Sequence, residues 1–233
     1  MLWKKGWYET RIRLLFVLAA VVVITVLTLD PAPAAAGSGP LVGATTIPAM
    51  LAAILLAGAG VKTQLGGLQR SKGLHGSMYY TLSLPVTRTR LFNVRVSLGL
   101  AEIAAIQVLT YSAILLVHPA GVHPAGINVA LSDLFKHGVA AFFCVTAVYS
   151  LGVFFAAFLD DVYQHWATIF TVVGTIVILS RVPLPASMDA FLVLSLASPL
   201  NTHTMPWNAM AVLLGLSGML LLIALKIVRS LEY

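Results

Sequence analysis

A chain of 233 residues that is 59% hydrophobic and only 9% charged, with a mean hydropathy of +0.95, has too few polar side chains to cover a globule in water. A soluble fold is therefore excluded. The net charge of +6 does not point to nucleic acid, because the basic residues sit in short stretches beside apolar runs, where the cytoplasmic bias of Lys and Arg accounts for them.

Six apolar runs read as membrane spans: residues 14–29, 41–61, 94–117, 138–159, 166–180 and 210–228. With the N-terminus inside, Lys4, Lys5, Arg11, Arg13, Lys62, Arg70, Lys72, Arg88, Arg90, Arg95, Lys226 and Arg229 fall in the cytoplasm, and only Lys136 and Arg181 fall outside. That asymmetry sets the orientation and puts both termini in the cytoplasm. The expected fold class is all-α: a multi-pass protein of the cell inner (cytoplasmic) membrane, forming one transmembrane domain over residues 1–233. Six spans leave no room for a soluble domain of ~100 residues, so a catalytic or ligand-binding domain must come from another chain.

In chain order, Trp3 and Trp7 stand one helical turn apart among Lys4, Lys5, Arg11 and Arg13. The pattern suits a short interfacial helix, with aromatics at headgroup depth and cations toward anionic lipid. The run at 14–29 resembles a secretory signal, but it is slightly long for one and is expected to be a retained span. Pro31, Pro33 and Pro40, with Gly37 and Gly39, make the first external connection a turn.

The longest cytoplasmic segment, residues 62–93, is more than a linker. After Gly66, Gly67 and Gly73, the residues Leu74, Met78 and Leu82 recur at i, i+4 and i+8, with Tyr79 beside them. Pro85 disfavours helix at Leu84, and Thr87 or Thr89 can cap the next helix. This predicts a short amphipathic helix lying along the inner membrane surface.

The external segment before the fourth span carries His118, His123, Asp133 and His137, which could ligate a metal, but their spacing defines no coordination geometry and no metal is assigned. The single Cys144 falls in a span and permits no intrachain disulfide. Residues 190–200 are apolar but too short to cross, given the ~20 residues a span requires. They are expected to be re-entrant or interfacial.

Chemical motifs are sparse. Gly215-Leu216-Ser217-Gly218 matches the G-x-S-G string of rhomboid-type intramembrane proteases, but no histidine follows His203 to serve as base, and small residues at close helix packing explain the string. No Gly-Lys dipeptide is present, so no Walker A loop can form and the chain is not expected to be an enzyme or to hold a cofactor of its own. Glu102 and Gln107 lie within the third span. A carboxylate facing lipid would cost ~2.5–3.5 kcal/mol, so Glu102 should face protein, water or be protonated. A translocation path and a structural hydrogen bond are both open to it. Asp160 and Asp161 follow the fourth span, where they oppose the helix dipole unless they instead begin the next helix.

The basic aromatic segment WKKGWYETRIR, the six spans and the stretch GSMYYTLSLPVTRTRLFNVR together resemble the membrane subunit of a type 2 ABC transporter, the exporter-type permease family. The match to the family's coupling stretch runs Thr81, Leu82, Ser83, Leu84, Pro85, Val86, Thr87, Arg88. The resemblance covers the layout of the chain, but only about twenty residues in motif, and it carries no substrate information.

The resemblance implies a coupling helix seated in a cleft of a cytoplasmic ABC ATPase, with Leu74, Met78, Tyr79, Leu82, Ser83, Leu84, Pro85, Asp160 and Asp161 as the expected contacts to that subunit. It also implies a re-entrant segment between spans five and six. Two ATPase copies, which would bind the ATP and Mg, and a second permease chain, identical or not, are the expected partners alongside membrane lipid. Glu102 and Gln107 are the candidates for the path. Against this stand two other classes: a membrane-embedded enzyme, which lacks an acid, base and nucleophile set, and a passive anchor whose helix docks some other cytoplasmic partner.

Overall fold

The computed structural model describes residues 14–21, 39–57, 87–117, 130–159, 161–179 and 199–230, with single positions at 3, 7, 11, 23 and 181. Every regular element among them is helical. The helices are α1 (Gly39–Ala57), α2 (Arg88–Val117), α3 (Leu131–Ala156), α4 (Asp161–Leu179), the short α5 (Pro199–Thr202) and α6 (Trp207–Ser230); residues 14–21 are helical as well. Among the described residues, three helical stretches are long and apolar enough to cross a membrane: Thr89–Ile114, Leu131–Ala156 and Trp207–Ser230. Shorter apolar stretches lie in α1 and α4, at Thr46–Ala57 and Tyr163–Ile178. Trp3 and Trp7 are helical and about half exposed.

The start of α2 follows from its sequence. The Arg90 backbone N–H donates to Thr87 Oγ1 at 3.3 Å, and the Leu91 N–H donates to the Thr87 carbonyl at 3.1 Å. A threonine here takes up one of the donors that a helix N-terminus leaves without an intrahelical partner. From this cap α2 continues for 30 residues, about 45 Å at the α-helical rise.

Helix α3 is the hub and packs against α1, α2, α4, α5 and α6. Its buried residues include the consecutive Ala147, Val148, Tyr149 and Ser150, which go around a full turn of the helix instead of forming one stripe. Such all-round burial marks a central helix. Small residues permit the approach: a Cβ at Gly152 would come within 2.6 Å of the Ala57 Cβ on α1. Close backbone contact of this kind replaces the hydrophobic drive that is missing between helices in lipid. In contrast α6 buries a single stripe, Ala209, Met210, Leu213, Ser217, Leu220, Ala224 and Val228. It leaves Leu214, Met219 and Leu222 exposed, as suits an apolar face toward hydrocarbon.

Two readings from the sequence are corrected here. Asp133 and His137 are not part of an external loop, because α3 begins at Leu131 and both are buried in its first turns. Hydropathy ends a span at the first charged residues, whereas a helix continues where those residues find partners. Nor does close packing within the described chain explain the glycines of the G-x-S-G string. A Cβ at Gly215 or Gly218 would meet nothing within 4 Å. Ser217 points inward and donates to the Leu213 carbonyl at 2.7 Å, a bond that occupies its hydroxyl hydrogen.

Candidate functional site

The polar side chains of α2 divide between two faces. Phe92, Val96, Ile103 and Ile106 are buried along one of them, together with Arg95 and Glu102. Opposite Arg95 and Glu102, Tyr149 of α3 reaches into the helix. A Cβ at Gly99 would overlap the Tyr149 hydroxyl, which lies 3.5 Å from the Val96 carbonyl as a long hydrogen bond. Gly99 is one turn from both charged residues, and both act electrostatically on the Tyr149 phenol. Glu102 is thus buried in protein at 3% exposure, one of the ways open to it of avoiding the cost of a carboxylate in hydrocarbon.

Gln107 belongs to the second face. At 3.6 residues per turn it stands about 140° around the helix from Glu102. It is only 4% exposed, yet neither amide atom has a hydrogen-bond partner. It lines a cavity of about 440 Å³ between α2 and α3, which Glu102 does not line. The two residues expected to share a path therefore do not share this cavity. Tyr111 and Ser112 of α2 and Leu134, Phe135 and Phe142 of α3 form other parts of its wall. The Tyr111 ring meets His137 edge-on at 6.3 Å between centroids. Gly138 makes room for that ring, since a Cβ there would lie 3.3 Å from it.

A third polar centre ties the start of α3 to the connection before α6. The Lys136 Nζ donates to Asp133 Oδ1 at 2.9 Å and to the His203 carbonyl at 2.8 Å. The His203 Nδ1 is 2.6 Å from Asp133 Oδ2. His203 has φ 56°, a left-handed conformation uncommon outside glycine. Asp133 also sits in the first turn of α3, where the helix dipole favours a carboxylate. Sequence reasoning missed this centre. The Asp133–Lys136 spacing of i, i+3 was a usable signal, but the bond to His203 spans 70 positions.

Of the residues expected to contact an ATPase, Leu74, Met78, Tyr79, Leu82, Ser83, Leu84, Pro85 and Asp160 lie outside the described residues. So do residues 190–198 of the expected re-entrant segment, as well as His118 and His123. Asp161 is the first residue of α4, the helix-starting position that the dipole favours. Among the described residues no group of three His, Cys, Asp or Glu side chains could hold a metal ion. Comparison of the chain with protein-family models, with curated proteins and with solved structures finds no match.

Proposed function

We propose that this chain is the transmembrane permease subunit of an ABC transporter of the exporter type, driven by a separate ATPase. The observation that carries the reading is the continuity between the coupling-like stretch and α2. Arg88, the last residue of the matching stretch, is the first residue of α2, and Thr87 just before it is the cap. A displacement at residues 74–85 would enter α2 at its base. It would travel along one uninterrupted helix past Glu102 to the cavity at Gln107. ATP binding and hydrolysis would then bias which of two bundle states is populated, and a substrate would be carried because those states differ in affinity or accessibility.

In this reading the chain has six spans with both termini cytoplasmic, works with two ATPase copies and a second permease chain, and binds no nucleotide itself. Glu102 and Gln107 are its path residues, on two faces of α2. The three helices able to cross a membrane support the coarse part of this topology. Cysteine substitutions in a Cys144→Ala background test the rest: positions 38 and 122 should label from outside and position 71 from inside.

Coupling is tested by purifying the tagged chain from its host membranes and measuring vanadate-sensitive hydrolysis of Mg-ATP. The activity should accompany the chain and be lost with Leu82→Asp, a position that this reading puts outside hydrocarbon and whose substitution should leave membrane insertion intact. A partner that remains bound but hydrolyses no ATP would make the chain an anchor instead.

A further inference from the structure

The cavity between α2 and α3 has features of a ligand site that the transport reading does not by itself supply. Its volume of about 440 Å³ is in the usual range for small-molecule sites. Among the described residues its wall contains no Asp, Glu, Lys, Arg or His, so a charged ligand would find no counter-ion there in a low-dielectric setting. Val108 and Phe135, both lining it, are well exposed on the outer surface of the described chain. The opening is therefore lateral and apolar.

Within this wall the Gln107 amide is buried with donor and acceptor both unused. Elsewhere in the bundle, two buried hydroxyls return to their own helix: Thr110 donates to the Ile106 carbonyl and Thr168 to the Gln164 carbonyl, each at 2.8 Å. Gln164 and the Thr146 hydroxyl also lack partners, but neither lines this cavity.

We propose that the cavity binds an uncharged, mainly apolar molecule bearing one hydroxyl, carbonyl or amide group, which hydrogen-bonds to Gln107. Tyr111 and Ser112 supply the adjoining polar wall, and Leu134, Phe135 and Phe142 cover the apolar body of the ligand. An acyl chain alone would fill the space but leave the amide unused. Binding does not depend on the coupling reading, because an anchor with the same α2 and α3 would bind the same class of molecule.

The test uses the full chain in phosphatidylcholine nanodiscs without an ATPase, photolabelled with a diazirine derivative of 1-octanol and, separately, with a diazirine alkane of equal length. The alcohol should label peptides containing Tyr111 or Leu134 and be displaced by unlabelled 1-octanol. Gln107→Leu should reduce that labelling roughly fivefold, the value of one net hydrogen bond, without lowering the melting temperature. Ala104→Phe, which fills the cavity, should reduce labelling by both probes. Displacement by dioleoylglycerol placed in the disc would indicate a bilayer source for the natural ligand, and displacement by octanol alone an aqueous one; both support the site. The proposal is overturned if the two probes label equally and Gln107→Leu changes neither, or if the alcohol labels elsewhere. It is also overturned if Gln107→Leu prevents folding, since the amide would then be a structural partner.

Discussion

Asp133 and Gln107 sit on the neighbouring helices α3 and α2, both almost fully buried, and they are used in opposite ways. Each Asp133 carboxylate oxygen has a partner, and those partners fasten α3 to the turn before α6. Neither polar atom of Gln107 has one. A buried polar group that finds its hydrogen bonds is a fastening, and one that does not is a cost of about 1–3 kcal/mol awaiting a reason. A ligand is the reason the cavity offers. The contrast assigns structure to one centre and function to the other, and substitutions can break it.

The largest effect is expected at the contact that sets the spacing of the two helices. Gly99→Leu would drive a side chain into the Tyr149 ring, and overpacking of this kind should destabilise the bundle by about 3 kcal/mol. A thermal melt that does not move would mean that Tyr149 does not define the separation. Next comes Asp133→Ala, which removes two charge-assisted hydrogen bonds. Because Lys136 and His203 are partly exposed, the loss should be about 1 to 2 kcal/mol, not the larger figure for a sealed pair.

Gln107→Leu should act in the other direction. Removing an unused buried amide should leave stability unchanged or raise it by about 1 kcal/mol. Equal destabilisation by Asp133→Ala and Gln107→Leu in a denaturant series would erase the distinction between the centres. The smallest effect should come from His203→Asn. Asparagine tolerates the left-handed backbone, so only the side-chain hydrogen bond to Asp133 is lost, at about 0.5 kcal/mol. A much larger loss would show that the fastening depends on His203 more than on Lys136.

Much of the helical order was legible because apolar length and caps are local properties. Thr87 and Thr89 could both be read as caps from their place after Pro85, and Thr87 is the one that caps. That Glu102, which is buried in protein, should not face lipid as a carboxylate was readable from the cost, with protein, water and protonation all open. The start of α3 was not, because Asp133, Lys136 and His137 look like a loop until the bond to His203, distant in sequence, is known. Gln107 and Glu102 were grouped as candidates for one path, whereas helical periodicity puts them on different faces. The cavity was not legible, since it depends on the separation of α2 from α3 and on the room that Gly138 gives the Tyr111 ring.

The claim that joins these parts is that α2 carries motion from residues 74–85 to the Gln107 cavity. With Gln107→Cys in a Cys144→Ala background, the rate of labelling by a neutral maleimide can be followed in the complex of the chain with its proposed ATPase, first without nucleotide and then after vanadate trapping with Mg-ATP. The account predicts that the rate changes several-fold between the two states and that Leu82→Asp abolishes the change while leaving the nucleotide-free rate as it was. Identical rates in both states, in a complex that still hydrolyses ATP, would contradict it.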